Sequence, residues 1–205
     1  MALRTPNSLE LRYTQKMMAF LLFHSRPKRI DLIGLGGGSL IKFCYHRLPG
    51  TQLTAVELDP DVIALRDAFE LPPDDPRLRV LQGDGAEYLE QVEKGIDVLL
   101  VDAFDKTGFA PTLANREFFE NAFEKLSGNG VLVINLAGEK DTYAGLIGEA
   151  MHVFDGQVIV ISVPDDGNHV LYAFKERYFE PRWRWLHNYA KELRAKFGLD
   201  FPAFV

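Results

Sequence analysis

Short apolar runs separated by segments of mixed character dominate the first two-thirds of the chain. Runs of strand length stand at 30–35, 53–58, 78–81, 96–101 and 131–136, and they are nearly continuous in apolar residues. Strands of that kind are buried on both faces, as in a parallel sheet. Between them, segments 40–47, 62–69, 86–92 and 116–126 place apolar residues at helical spacing. The series of strand-helix units predicts a doubly wound α/β sheet with helices on both faces.

Both ends depart from this alternation. Residues 11–24 predict a helix ahead of the first strand, ended by Pro27. Toward the other end, runs 158–163 and 170–174 flank Pro-Asp-Asp-Gly-Asn-His. The Asp-Gly step is a hairpin signal, so the last strand is expected to run antiparallel in an otherwise parallel sheet. Residues 182–197 predict a terminal helix carrying Trp183, Trp185, Leu186, Tyr189, Ala190 and Leu193. Basic residues lie between these aromatics, but helical spacing favours packing on the sheet or on a second subunit over nucleic acid. Residues 1–205 are expected to form one nucleoside-binding domain, with an N-terminal helix in 1–28 and a C-terminal helical segment in 181–205.

Composition narrows the function classes. With 47% hydrophobic and 25% charged residues, the 205-residue chain can bury one substantial core, which excludes a disordered chain. A formal charge of −6 disfavours nucleic acid as a partner and favours a small cationic substrate. The apolar stretch 17–23 is too short to span a bilayer, so no membrane partner is expected. Cys44 is alone and the five histidines lack metal-ligand spacing, pointing to a reducing, cytoplasmic setting and no metal.

Chemistry gathers where strands give way to loops. Gly34, Gly36, Gly37 and Gly38 follow the first strand. In a doubly wound sheet, ligands bind beyond the carboxyl ends of the strands where strand order reverses, and the first turn lies there. Without Cβ atoms the turn is sharp and open to close approach, while the next helix offers unpaired N–H groups. The dinucleotide pattern G-x-G-x-x-G needs glycine where Ser39 stands, so a hydride-transferring dehydrogenase ranks last.

Glu57 ends the second strand 19 positions after Gly38, the offset at which an acid meets ribose hydroxyls. Asp84 follows the third strand, where it can cap the next helix and also stands where an adenine amino group could be read; the two roles can coexist. Asp102 and Asp105 follow the fourth. Two carboxylates are costly to hold close unless a cation joins them, which makes this loop a candidate amine site.

These motifs together resemble the spermidine synthase (polyamine aminopropyltransferase) family, of the class I S-adenosylmethionine-dependent methyltransferase fold type. The family's E-[IL]-D-P is matched by Glu57-Leu58-Asp59-Pro60, and its DPR…GDG by Asp75-Pro76-Arg77 and Gly83-Asp84-Gly85. Its catalytic D-x-x-D-x-x-G is similar to Asp102-Ala103-Phe104-Asp105-Lys106-Thr107-Gly108. The resemblance covers roughly residues 11–175.

What it implies is a Rossmann-like fold and transfer of an aminopropyl group from decarboxylated S-adenosylmethionine to a small amine, with no metal. Gly34, Gly36, Gly37 and Gly38 would face the donor, Glu57 its ribose, and Asp84, Gly85 and Ala86 its adenine. Asp102 and Asp105 would receive the amine, with Tyr13 lining the acceptor pocket. Two features depart from the family. Gly37 stands where an acid commonly faces the donor's ammonium, and about ten residues precede the first helix where the family carries a β-rich domain. Intact S-adenosylmethionine as methyl donor, or a nucleoside-binding homologue without turnover, are the alternatives these departures raise. A homodimer is expected from the terminal-helix aromatics.

Overall fold

In a computed structural model, which describes residues 7–105, 108–137, 140–163 and 167–205, seven strands form one mixed sheet. The chain runs through β1 (Arg29–Ile33), β2 (Gln52–Glu57), β3 (Leu78–Gln82) and β4 (Ile96–Val101). A two-residue pair, β5 (Phe104–Asp105) and β6 (Gly108–Phe109), forms a separate small hairpin. The sheet then resumes with β7 (Leu126–Leu136), β8 (Val158–Val163) and β9 (Asn168–Phe174). Its order is β3-β2-β1-β4-β7-β9-β8. Strand order therefore reverses beside β1.

All neighbours among β1, β2, β3, β4 and β7 are parallel, whereas β9 is antiparallel to both β7 and β8. The antiparallel strand is last in the chain, as its hairpin signal predicts, but it lies inside the sheet and leaves β8 at the edge. Of the Asp-Gly step, Asp166 lies outside the described residues.

Helices α1 (Arg12–Met17), α2 (Ser39–Arg47), α3 (Pro60–Ala64), α4 (Gly85–Gln91), α5 (Arg116–Lys125), α6 (Lys140–Val153) and α7 (Trp183–Phe197) cover the two faces. Strand parity decides which side chains meet which helices. Ile30, Leu32, Leu53, Ala55, Val98, Leu100, Val131 and Val133 join the core beneath α1, α2 and α7. Ile33, Leu99, Val101, Leu132 and Ile134 join the core beneath α4, α5 and α6.

Several elements differ in extent from the sequence pattern. The helix expected over 11–24 tightens into a 3-10 turn at Met18–Leu22, where five successive residues are buried and no wet face is left. The helix expected over 62–69 is α3, which ends at Ala64. Pro72 and Pro73 deny the Ala68 and Phe69 carbonyls the N–H donors a helix would supply. The Lys42 ammonium, from α2, donates to the Phe69 carbonyl at 2.6 Å instead. Helix α6 has no counterpart in the sequence pattern; it buries Tyr143, Leu146 and Ala150. In α7, Leu186, Ala190, Leu193 and Phe197 are buried, while Trp183 and Trp185 are exposed by 49% and 56%. No helix among the described residues is long and apolar enough to cross a membrane.

Candidate active site

Beyond the carboxyl ends of β1, β2, β3 and β4 lies a cavity of about 380 Å³. Tyr13, Gly34, Gly36, Glu57, Asp84, Gly85 and Asp102 line it, joined by Asp59, Phe104, Thr112 and Leu113. Side chains far apart in sequence meet here because β1 places its turn between the ends of β2 and β4.

Backbone hydrogen bonds clamp the glycine turn on both sides. The Gly34 N–H donates to the Val56 carbonyl at 2.8 Å, and the Asp102 N–H donates to the Ile33 carbonyl at 2.9 Å. Gly34 takes φ +89°, a conformation side-chain-bearing residues rarely adopt. A Cβ there would stand 2.3 Å from the Asp102 carbonyl oxygen.

Gly37, Gly38 and Ala86 stand outside the cavity lining. A Cβ on Gly37 would touch the Phe69 ring at 3.8 Å, ordinary van der Waals contact, so a Cβ fits there.

Glu57 reaches back over the turn. Its Oε2 accepts from the Leu35 N–H at 2.8 Å and the Gly36 N–H at 3.3 Å, and its Oε1 accepts from the Asp59 N–H at 3.0 Å. A carboxylate offers about four acceptor positions, so capacity remains for a ligand hydroxyl.

Asp84 caps α4. Its Oδ1 accepts from the Ala86 N–H at 2.7 Å and the Glu87 N–H at 3.3 Å, and its Oδ2 from the Thr112 hydroxyl at 3.1 Å. Thr112 carried no sequence signal; it arrives from a 3-10 turn, Pro111–Leu113, that follows β6.

Asp102 is the most constrained carboxyl in the cavity. The Asn135 amide donates to its Oδ1 at 2.8 Å and the Tyr13 hydroxyl to its Oδ2 at 3.3 Å. Burial pushes the Asp102 carboxyl above the usual carboxylate range, opposed by these two hydrogen bonds. Behind Asn135, the Asn168 amide donates to the Asn135 Oδ1 at 2.9 Å. Neither asparagine was singled out in the sequence, although Asn135 is a polar residue near the carboxyl end of an apolar strand, the signal that marks Glu57 and Asp102.

Asp105 lies in β5 by its backbone, and its side chain is outside the described part, as are Lys106 and Thr107 of the same motif. The charge of the remaining wall is one-sided. Glu57, Asp59, Asp84 and Asp102 line the cavity, and none of its described lining residues is Lys, Arg or His. Such a wall suits a cation and repels a phosphate.

Comparison with known proteins gives the chain a family and its fold neighbours. A spermine/spermidine synthase domain matches residues 10–143. The polyamine aminopropyltransferase of Chromobacterium violaceum is 37% identical, covering 100% of this chain and 79% of that protein. That of Neisseria meningitidis serogroup B is 36% identical, covering 98% and 77%. Among solved structures, human methyltransferase-like protein 13 in complex with SAH superposes with a TM-score of 0.83 at 20% identity, covering 92% of this chain and 93% of that one. A probable spermidine synthase from Corynebacterium glutamicum gives 0.78 at 24% identity, covering 95% and 75%. The two superpositions establish the fold, and the family match with the full-length sequence identity establishes the lineage: the chain belongs to the spermine/spermidine synthase family.

Proposed function

We propose that the chain transfers an aminopropyl group from decarboxylated S-adenosylmethionine to a small cationic amine. The observation that carries this reading is a cavity with four carboxyl side chains and no cationic side chain among its described lining. Donor sulfonium and acceptor ammonium are both positive, and a wall of this sign attracts both.

Glu57 takes the ribose hydroxyls with its remaining acceptor capacity. Asp84, with Gly85 and Ala86 at the start of α4, takes the adenine. The turn from Gly34 to Gly38 lets the donor approach the backbone. Asp102, with Asp105 as partner and Tyr13 beside it, receives the amine.

In the reaction the amine nitrogen attacks the methylene carbon bonded to sulfur. The C–S electron pair returns to sulfur, a neutral thioether leaves, and the new ammonium gives up a proton. Attack requires the free amine, yet an alkylammonium has a pKa of about 10.4 against about 4 for a carboxylic acid. Burial of Asp102 raises the acid and desolvation lowers the amine, which narrows that gap. Asp102 thus serves as amine orienter and proton acceptor.

Self-association through α7 is supported by its exposed Trp183 and Trp185, and light scattering tests it. The lone Cys44 supports a reducing compartment such as the cytoplasm.

Parallel calorimetric titrations with decarboxylated S-adenosylmethionine, intact S-adenosylmethionine and methylthioadenosine test the donor. Tighter binding of the decarboxylated donor than of the intact one is expected. Preference for the intact donor would move methyl transfer ahead of this reading.

A further inference from the structure

We propose that Asn168 is a positioning residue that fixes which end of the Asn135 amide faces Asp102. The proposal rests on the reading of Asp102 as the carboxylate that receives the amine, and its physical content is a relay across three adjacent strands.

Strand parity puts the three side chains on one face. Asn135 continues the stripe of Val131 and Val133 on β7, Asn168 that of Val170 and Tyr172 on β9, and Asp102 that of Val98 and Leu100 on β4. Tyr13 reaches Asp102 from α1, which lies over the same face. His169 points to the other face, where its ring meets Tyr143 at 4.9 Å.

Asn135 is only 2% exposed, so both ends of its amide need partners inside the protein. One end is a carbonyl that only accepts and the other an NH₂ that only donates. The Asn168 amide donates to the carbonyl end at 2.9 Å, which leaves the NH₂ end to donate to Asp102 at 2.8 Å.

Turned by half a rotation, Asn135 would set a carbonyl oxygen against the Asp102 carboxyl. That contact is favourable only when Asp102 carries a proton. Removing the Asn168 donor leaves a buried carbonyl without its partner and leaves only the charge of Asp102 to oppose the rotation, so the turned amide becomes accessible whenever Asp102 is protonated. Asn168 thereby governs the charge state of a carboxyl it does not touch. The titratable groups lining the cavity with Asp102 are Tyr13, Glu57, Asp59 and Asp84, all of them neutral or negative. Asp105 adds a further carboxyl whose side chain lies outside the described part.

The test follows the Asp102 side-chain carboxyl carbon by NMR through a pH titration of the full chain, the signal being assigned by its loss in Asp102→Asn. Asn168→Leu, close in shape and without the donor, is expected to raise the Asp102 midpoint by about one pH unit, the size of one charge-assisted hydrogen bond. Asn168→Gln, which keeps an amide donor, is expected to return it toward the wild-type value. On an Asn135→Leu background, Asn168→Leu is expected to shift nothing further, because the effect passes through Asn135. An unmoved midpoint in Asn168→Leu, or an equal shift with Asn135 removed, would overturn the proposal. The readout needs no turnover, so absence of aminopropyl transfer by the wild-type chain counts against the proposed function alone.

Discussion

Gly34 and Asp102 approach so closely that a Cβ on the glycine would lie 2.3 Å from the aspartate's carbonyl oxygen. The glycine turn after β1 and the start of the loop after β4 are therefore packed backbone against backbone. Gly34→Ala should destabilise the fold by about 1–3 kcal/mol, since the obstacle is backbone and cannot swing aside. It should also displace Asp102. Thermal melts read the first effect, and a fall in kcat/KM beyond the loss of folded protein reads the second.

Asp102→Asn separates function from stability. The folded-state carboxyl titrates above its ordinary value of 3.8, so the ionised form is disfavoured by folding. Stability linked to this group is fully present below pH 3.8 and is lost as pH rises through the folded-state value. At neutral pH the variant should melt above wild type, with the difference fading in acid. Transfer should drop roughly a hundred- to ten-thousand-fold, the range for losing a general base.

Gly37→Asp restores the acid that the family commonly carries. The position does not have the positive φ that favours glycine, and a Cβ there would meet only the Phe69 ring at 3.8 Å. A hydrogen bond to a charged group contributes about 1.5–3 kcal/mol. Affinity for the decarboxylated donor should therefore rise about ten-fold or more by calorimetry. Intact S-adenosylmethionine, whose carboxylate the new acid repels, should gain nothing.

Cys44 reports on the integrity of the core beneath α2. It is fully buried in α2, and burial pushes its thiol from 9.0 up to about 12. A disulfide-exchange reagent at pH 8 should leave it untouched in the native protein and react as the chain unfolds. Stability linked to this thiol is present below pH 9.0 and is lost as pH rises toward 12, so melts should fall along that range. Cys44→Ala should flatten the alkaline fall.

The sheet was legible because its strands are buried on both faces and leave unmixed apolar runs. The same logic exposed Glu57 and Asp102, charged residues at or just past the carboxyl ends of such runs. Helix α6 stayed hidden because Thr142, Gly145 and Gly148 interrupt the pattern of Tyr143, Leu146 and Ala150. Pro72 and Pro73 mark where a helix over 62–69 has to stop, but not the end of α3 already at Ala64, and the rescue of the Phe69 carbonyl by Lys42 depends on a contact across 27 positions. Asn135 and Asn168 became meaningful only with the order β4-β7-β9, which no local pattern encodes.

Product analysis tests the central claim most directly. The full chain is incubated with decarboxylated S-adenosylmethionine and a panel of linear diamines, and the products are identified by mass spectrometry beside those of Asp102→Asn. Our account predicts an amine lengthened by one aminopropyl group, matched mole for mole by methylthioadenosine, and little of either from the variant. Undiminished transfer by Asp102→Asn, or no lengthened amine from the wild-type chain, would contradict it.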